Sequence, residues 1–478
     1  MKAWFLLMAS MMSGVCSFGQ TNTGWRYMLL DASQITDDCP ICGRPTIAYP
    51  LRGTFDLVLV GTGPLFTAYR LTNISFYAAS KAQPLYTVTG SGSYRVGGEV
   101  AVRQEVLLQT EVCNTTPSCR DVTFTNENVF PTVAFPLIDV SVTQTQASLV
   151  SVYSMRIVAA PVREIWFAVP NGFTATNSSV EVRAGDVLSH TGRIVRTNSF
   201  LMQSVGITNP SPALRVDAFD VAPGGEIFFS LNDDVTSPTL GPLFEGDLLS
   251  DRGRIVQRNQ QLTAAFGIQP VVPDVGLDAI FVAADAEILF SIRTNIFSEG
   301  RGVMLRRGDV LSNRGNIVKS HQQLLARYHP VNLSSDYGVD ALYVWPNGEI
   351  WFSTEMGFED SQLGTISNGD LLSSEGVIVF RNAELVSAFA APQNTVGFGL
   401  ADVFVVSDAV VNSPPRFLFP RIEMGGVSLQ WIGTNRVFQL ERASDVIGPW
   451  QPLGEIDPAS SFHDSVASPD GFYRLRAW

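Results

Sequence analysis

Four copies of one pattern occupy the middle of the chain, and they limit the fold more than any other feature. Glu164-Ile165, Glu226-Ile227, Glu287-Ile288 and Glu349-Ile350 recur at steps of 62, 61 and 62 residues. Gly185-Asp186, Gly246-Asp247, Gly308-Asp309 and Gly369-Asp370 recur at 61, 62 and 61, and Gly192, Gly253, Gly315 and Gly376, each followed by x-Ile-Val, keep the same steps. Several anchors holding one register over four copies mean four like units, each burying its apolar face against its neighbours.

The last copy shows what a unit is. Asp340-Ala341-Leu342-Tyr343-Val344 is rich in strand formers, Pro346-Asn347-Gly348 supplies a tight hairpin turn, and Glu349-Ile350-Trp351-Phe352-Ser353 returns. A variable loop, Met356 to Asn368, precedes a second hairpin in which Asp370 to Ser373 and Val377 to Phe380 flank Ser374-Glu375-Gly376. Asn382 sits where a helix N-cap belongs, with Leu385 and Phe389 four residues apart on one face. Asn259, Leu262 and Phe266 repeat this in the second copy; His321, Leu324 and Tyr328 repeat it in the third. A unit is therefore four short strands, one helical turn and a connection.

Four such units without a long helix predict a β-propeller-like array of four four-stranded repeats, the helical turn accounting for a period longer than that of common blades. A fifth copy of the first strand, Leu400-Ala401-Asp402-Val403-Phe404-Val405, stands alone and is placed to complete another unit's sheet. An open stack and a five-membered ring borrowing N-terminal strands are the alternatives. The units resemble those of secreted bacterial β-propeller-type repeat proteins, with their Asp-Ala-Leu-x-Val, Gly-Glu-Ile-x-Phe-Ser and Gly-Asp-Leu-Leu grammar. That resemblance covers about half the chain and implies fold rather than activity.

The flanks are also β. Lys2, the ten-residue apolar run Ala3 to Met12 and the small residues Ser17 and Gly19 predict a signal peptide over 1–19, cut before Gln20. Cys16 lacks the residues of a lipoprotein site, and no later run reaches the ~18 apolar residues of a membrane span. Residues 20–150 are strand-rich and aperiodic, with strands at Thr54 to Val60 and Val100 to Val112, and predict a β-sandwich or small barrel. Residues 151–410 hold the repeats, and 411–416 (Val411-Asn412-Ser413-Pro414-Pro415) read as a linker. In 417–478, Val427 to Trp431 and Val437 to Arg442 are expected to pair, Gly448-Pro449-Trp450 turns a corner, and Gly471-Phe472-Tyr473-Arg474-Leu475 closes the module. This resembles a short fibronectin type III-like β-sandwich, a type of module that implies spacing or attachment.

Composition removes some functions. The formal charge of −13, with 32 Lys and Arg against 45 Asp and Glu, argues against nucleic acid as a partner. After signal removal four cysteines remain, and an even count in an oxidising compartment reads as disulfides. Cys113 with Cys119 is the pair that local closure favours, leaving Cys39 with Cys42. The run Cys39-Pro40-Ile41-Cys42-Gly43 also has the spacing of one zinc knuckle, without a second, and of a redox dithiol, without a surrounding βαβ pattern.

No motif fixes an activity. Val60-Gly61-Thr62-Gly63 follows an apolar strand but lacks a third glycine and a βαβ unit, so no nucleotide site is expected. Carboxylates present in every copy (Asp186, Asp247, Asp309, Asp370; also Asp217, Asp278, Asp340, broken by Ala401) are expected to hold turns rather than a metal ring. The unrepeated acids Asp233, Asp234, Glu299, Glu355, Glu359 and Asp360 fall in the loops between hairpins, and those loops should gather on one face. They are the candidate ligand-face residues, as a glycosidase acid and base, as ligands for Ca²⁺, or as solvated loop charge. No other cofactor is expected. His190 and His321 stand where sister copies carry Asp251 and Asn382, which suggests structural substitution; Trp166 and Trp351 are expected in the core rather than stacking sugars. The expected function is an exported, non-enzymatic binding, adhesion or scaffold protein of the bacterial surface or extracellular space, with carbohydrate or a cell-surface protein as partner. The alternatives are a polysaccharide-active enzyme on the propeller and a self-assembling envelope protein.

Overall fold

A computed structural model describes residues 24–478 except 44–45, 81–82, 115–117, 147–150, 177–179, 270–273, 333, 392–397, 410–412, 424 and 466–470. The expected signal segment and the first two residues of the expected linker lie outside the described residues. The chain is all-β, and its helices are short turns between strands.

The N-terminal strands are β1 (Gly24–Leu29), β2 (Gln34–Asp38), β3 (Ile47–Thr62), β4 (Phe66–Ser80), β5 (Gln83–Gly97), β6 (Arg103–Asn114), β7 (Cys119–Thr125), β8 (Ile138–Gln144) and β9 (Val152–Ala168). From β3 to β9 each pairs antiparallel with the next, and β1 and β2 pair with both β3 and β9. The sheet therefore closes on itself as a barrel, which removes its edges. Period-two patterning drives it. Along β6 the side chains of Gln104, Val106, Leu108, Thr110 and Val112 are buried, while Leu107, Gln109 and Glu111 are exposed. Tyr27, Phe55, Phe76 and Phe124 fill the interior. Strand β6 begins at Arg103, three residues later than expected, because Gly98 takes φ +152° in a turn that leaves Val100 at the surface.

Strand β9 belongs to two sheets. Residues up to Pro161 pair within the barrel, and Val162 to Phe167 pair with Val403–Ser407, the isolated fifth copy. Val187–Ser189 then pairs with β9, and Arg193–Arg196 with Val187–Ser189. The last strand of the repeats thus supplies the innermost strand of the first four-stranded sheet.

The other three sheets are continuous in sequence. Each opens with an inner strand: Val216–Ala222, Ala279–Val282 or Ala341–Val344. Each inner strand packs beside the next, and Val403–Ser407 packs beside both Ala341–Val344 and Val216–Ala222, so four strands surround one axis. Gly192, Gly253, Gly315 and Gly376 turn the outer hairpins at φ +96°, +75°, +84° and +86°, which explains why glycine repeats there. The loops between hairpins carry small two-stranded hairpins of their own, such as Val235–Ser237 with Gly241–Leu243.

Two expectations need correction. The N-caps of the repeat helices are Thr197, Arg258, Ser320 and Arg381, one residue before Asn198, Asn259, His321 and Asn382. The repeated asparagines are the first helical residues, and their side chains tie down the following connection: Asn382 Nδ2 donates to Gly369 O and Gly399 O, and its Oδ1 accepts from Phe398 N. In the C-terminal module, Gly426–Ile432 pairs with Arg421–Glu423 and Ser461–Asp464, while Phe438–Ala443 pairs with Phe472–Ala477. The two strands expected to pair instead face each other across a core of Leu429, Trp431, Phe438 and Leu440, since both bury alternate large side chains.

Candidate functional site

The repeated carboxylates are structural. Asp186, Asp247, Asp309 and Asp370 each accept two amides: one from their own turn (Arg183, Phe244, Arg306, Ser367) and one from the helix start (Asn198, Asn259, His321, Asn382), at 2.7 to 3.3 Å. His190 Nδ1, Asp251, Asn313 and Ser374 each accept the amide of the isoleucine opposite, so the histidine does the work of its counterparts. Burial lowers the His190 pKa to about 4, which keeps it neutral and able to accept.

The unrepeated residues lie on the axis. Asp402 stands where the sister copies carry Ala218, Ala279 and Ala341. Its carboxylate accepts four equivalent amides, one from each inner strand: Phe219 (3.0 Å), Ile280 (2.9 Å), Leu342 (3.0 Å) and Val403 (2.9 Å). Burial pushes this carboxyl up, while the amides of Ile280, Leu342 and Val403 act in the opposite sense. Its φ is +115°, a conformation that costs a non-glycine residue about 1–3 kcal/mol and persists only where the surroundings enforce it.

Toward the tips of the first hairpins, Asp220 replaces the aromatic residues Phe281, Tyr343 and Phe404 of the sister copies. It accepts Val282 N at 2.7 Å, and Arg436 of the C-terminal module reaches it with one nitrogen at 2.9 and 3.1 Å. Arg436 also donates to Val221 O and Val282 O and lies over the Phe281 ring at 5.1 Å. Further pins hold the module: Arg196 to Asp457 at 2.8 and 2.9 Å, and Trp478 Nε1 to Asp408 at 2.8 Å. Between module and axis is a cavity of about 520 Å³, walled by Phe281, Tyr343, Trp345, Phe404 and Trp478.

The opposite end of the axis is acidic. Asp217 pairs with Arg215 and, at 3.2 Å, with Arg293, which also reaches Asp278 (3.5 Å) and Glu245 (2.5 Å). Asp278 Oδ2 is buried without a hydrogen-bond partner among the described residues, and burial, reinforced by the Asp217 charge, raises this carboxyl to about 8. Burial and the charges of Asp278 and Asp217 push Asp340 up as well.

Of the loop candidates, only Glu355 reaches this acidic end, where it pairs with Arg307 at 2.9 Å and adds its charge to Asp278 and Asp340. The others serve their own neighbourhoods. Asp233 accepts the Asp234 amide, Asp234 the Glu245 amide at 3.0 Å, and Glu299 the Gln269 amide at 2.7 Å. Glu359 takes the Thr365 hydroxyl at 2.7 Å. Burial opposes the charge on Asp360, but the amides of Leu363, His329 and Gln362 hold its carboxyl below the usual value. Trp166 and Trp351 are buried, their indole nitrogens bonded to Glu164 (2.6 Å) and Glu349 (2.9 Å). Val60-Gly61-Thr62-Gly63 runs from the end of β3 into its turn to β4, with Gly63 N bonded to Phe66 O.

Cys39 is joined to Cys42 and Cys113 to Cys119, so the first pair offers no thiolate to zinc. Among the described residues, one trio of metal-ligand side chains comes within reach of a single ion: Glu111 with Cys113 and Cys119, whose sulfurs are already paired. Asp402, Asp220, Arg436 and Tyr343 were not singled out from the sequence; for Asp402 and Asp220 the available signal was departure from the repeat inside an inner strand, while Tyr343 follows the repeat and Arg436 lies outside it. No family model and no curated protein matches this chain.

Proposed function

We propose that this is an exported, non-enzymatic binding or scaffold protein of the bacterial surface or extracellular space. In this reading the repeats form a closed four-bladed propeller-like ring, carried between an N-terminal barrel and a fibronectin type III-like module. The observation that carries it is the Asp402 carboxylate on the axis, bonded to all four inner strands. A ring pinned at its centre is a rigid frame, suited to presenting surfaces. The paired cysteines fit an oxidising destination, and no helix among the described residues is long and apolar enough to cross a membrane.

One observation favours a second reading, a polysaccharide-active enzyme: Asp278 keeps its proton to about pH 8 beside the arginine-paired Asp217, and carboxylates in unlike environments are what acid and base roles require. A single assay separates the two. The chain from residue 20 is incubated with insoluble polysaccharides, and the supernatant is assayed for remaining protein and for released sugar. Protein loss without sugar supports binding, and released sugar replaces it with the enzyme. If neither changes, carbohydrate is not the partner.

A further inference from the structure

The cavity beside the C-terminal module has no task in the frame described above. Its volume of about 520 Å³ is in the range of small-molecule sites. Three repeats and the module each contribute aromatic or aliphatic wall, including Phe281, Tyr343, Phe404 and Trp478. Its one charged lining group, Arg436, is already occupied by the Asp220 carboxylate and the carbonyls of Val221 and Val282. An ionised ligand would therefore find no counter-charge and would pay the full cost of leaving water.

The polar complement is sparse and specific. Tyr343 and Trp345 lie two residues apart on an extended segment and so share one side, with ring centroids 5.0 Å apart. The Tyr343 hydroxyl makes no hydrogen bond to any described residue although the side chain is buried, and the Trp345 indole nitrogen is sealed in without a partner among the described residues. Buried Tyr and Trp ordinarily satisfy these groups. An idle hydroxyl on an aromatic wall calls for an acceptor. A free sugar, with hydroxyls on every edge, would leave most of them unpaired against these walls.

We propose that this cavity binds a small uncharged molecule with a flat apolar body and a hydrogen-bond acceptor, such as a ring ketone or aryl ether, the acceptor taking the Tyr343 hydroxyl. This deepens the binding reading by giving it an internal ligand, and it does not depend on the outcome of the polysaccharide assay.

The test uses the full exported chain and 6-propionyl-2-(dimethylamino)naphthalene, an uncharged fluorescent aryl ketone, with 1-naphthoate as the charged comparator. Saturable, blue-shifted emission is expected with the ketone and none with the carboxylate. Ala284→Trp, at an exposed turn position on the cavity wall, should abolish saturable binding while leaving the thermal midpoint unchanged. Tyr343→Phe keeps the ring and should weaken binding about five-fold, the share of one hydrogen bond. The proposal is overturned if the ketone does not saturate, if the naphthoate binds equally well, or if Ala284→Trp binds like the parent.

Discussion

Asp402 separates two ways of judging a residue. By the pattern of the repeats alanine is the standard occupant, since Ala218, Ala279 and Ala341 hold that place. By its contacts, Asp402→Ala strips four buried amides of their acceptor, each worth about 1–3 kcal/mol when left bare. We expect a loss of at least about 3 kcal/mol in urea unfolding; a neutral result would mean that the axis is not held by this carboxylate. Asp278 makes a pH prediction. Its folded value of about 8 lies above its ordinary 3.8, so the protonated form suits the fold, and its contribution is complete at low pH and lost as pH rises through 8. The thermal midpoint should fall as pH rises from about 4 to about 8, and Asp278→Asn should flatten that fall, leaving the part due to Asp340; parallel profiles for parent and variant would exclude Asp278 as the source. The sequence shows the break at Ala401 clearly, but it reads as a lost acid. In a strand a shift of one residue turns a side chain to the other face, and here it moves a carboxylate from the acidic end, where Asp217, Asp278 and Asp340 lie, to the place where it accepts an amide from each inner strand. The repeated Asp186 series was legible because Gly-Asp before a strand is turn chemistry that needs only local partners.

The hairpins of each repeat were legible for the same local reason: alternation, an Asn-Gly turn and a glycine at a fixed place. What the sequence hid was pairing between distant strands. Nothing in β9 marks the point, between Pro161 and Val162, where it leaves the barrel for the first repeat sheet, because its apolar run is continuous across it. The expected pairing inside the C-terminal module failed because two buried amphipathic strands look alike whether they lie side by side or face to face. The closing strand Val403–Ser407 should be expensive to disturb. Phe404 is buried, packs on Trp166 at 5.3 Å and on Tyr343 at 6.4 Å, and Phe404→Ala should lower stability by about 3–5 kcal/mol in denaturant titration. A cost near zero would place ring closure elsewhere.

The docking of the C-terminal module was not legible at all, since Arg436 and Asp220 are 216 residues apart and nothing local in either marks its partner. The linker expected at 411–416 suggested a separate module; the structure instead joins the module to the repeats through buried charge. Truncating one partner of such a pair leaves the other buried and uncompensated. In calorimetry the parent should unfold with the module and repeats together, and Arg436→Ala should release a separate, lower-temperature transition; a single unchanged peak would mean the remaining pins suffice.

The antiparallel register of β9 with Val403–Ser407 also decides how the molecule would carry tension. Val162 stands opposite Ser407 and Phe167 opposite Val403, so the barrel leads into this seam and the C-terminal module leads out of it at the same end. A pull between those two parts would open the seam like a zip, one rung after another, rather than load all its rungs at once. The ion pair of Arg163 with Asp408, at 2.6 Å, sits at the end where the zip would start. The first rung of the seam is then guarded at this one end, and Asp408→Asn, which loses the pair with Arg163 and weakens the Trp478 pin, should lower the force of first opening in single-molecule pulling while leaving the later rungs unchanged.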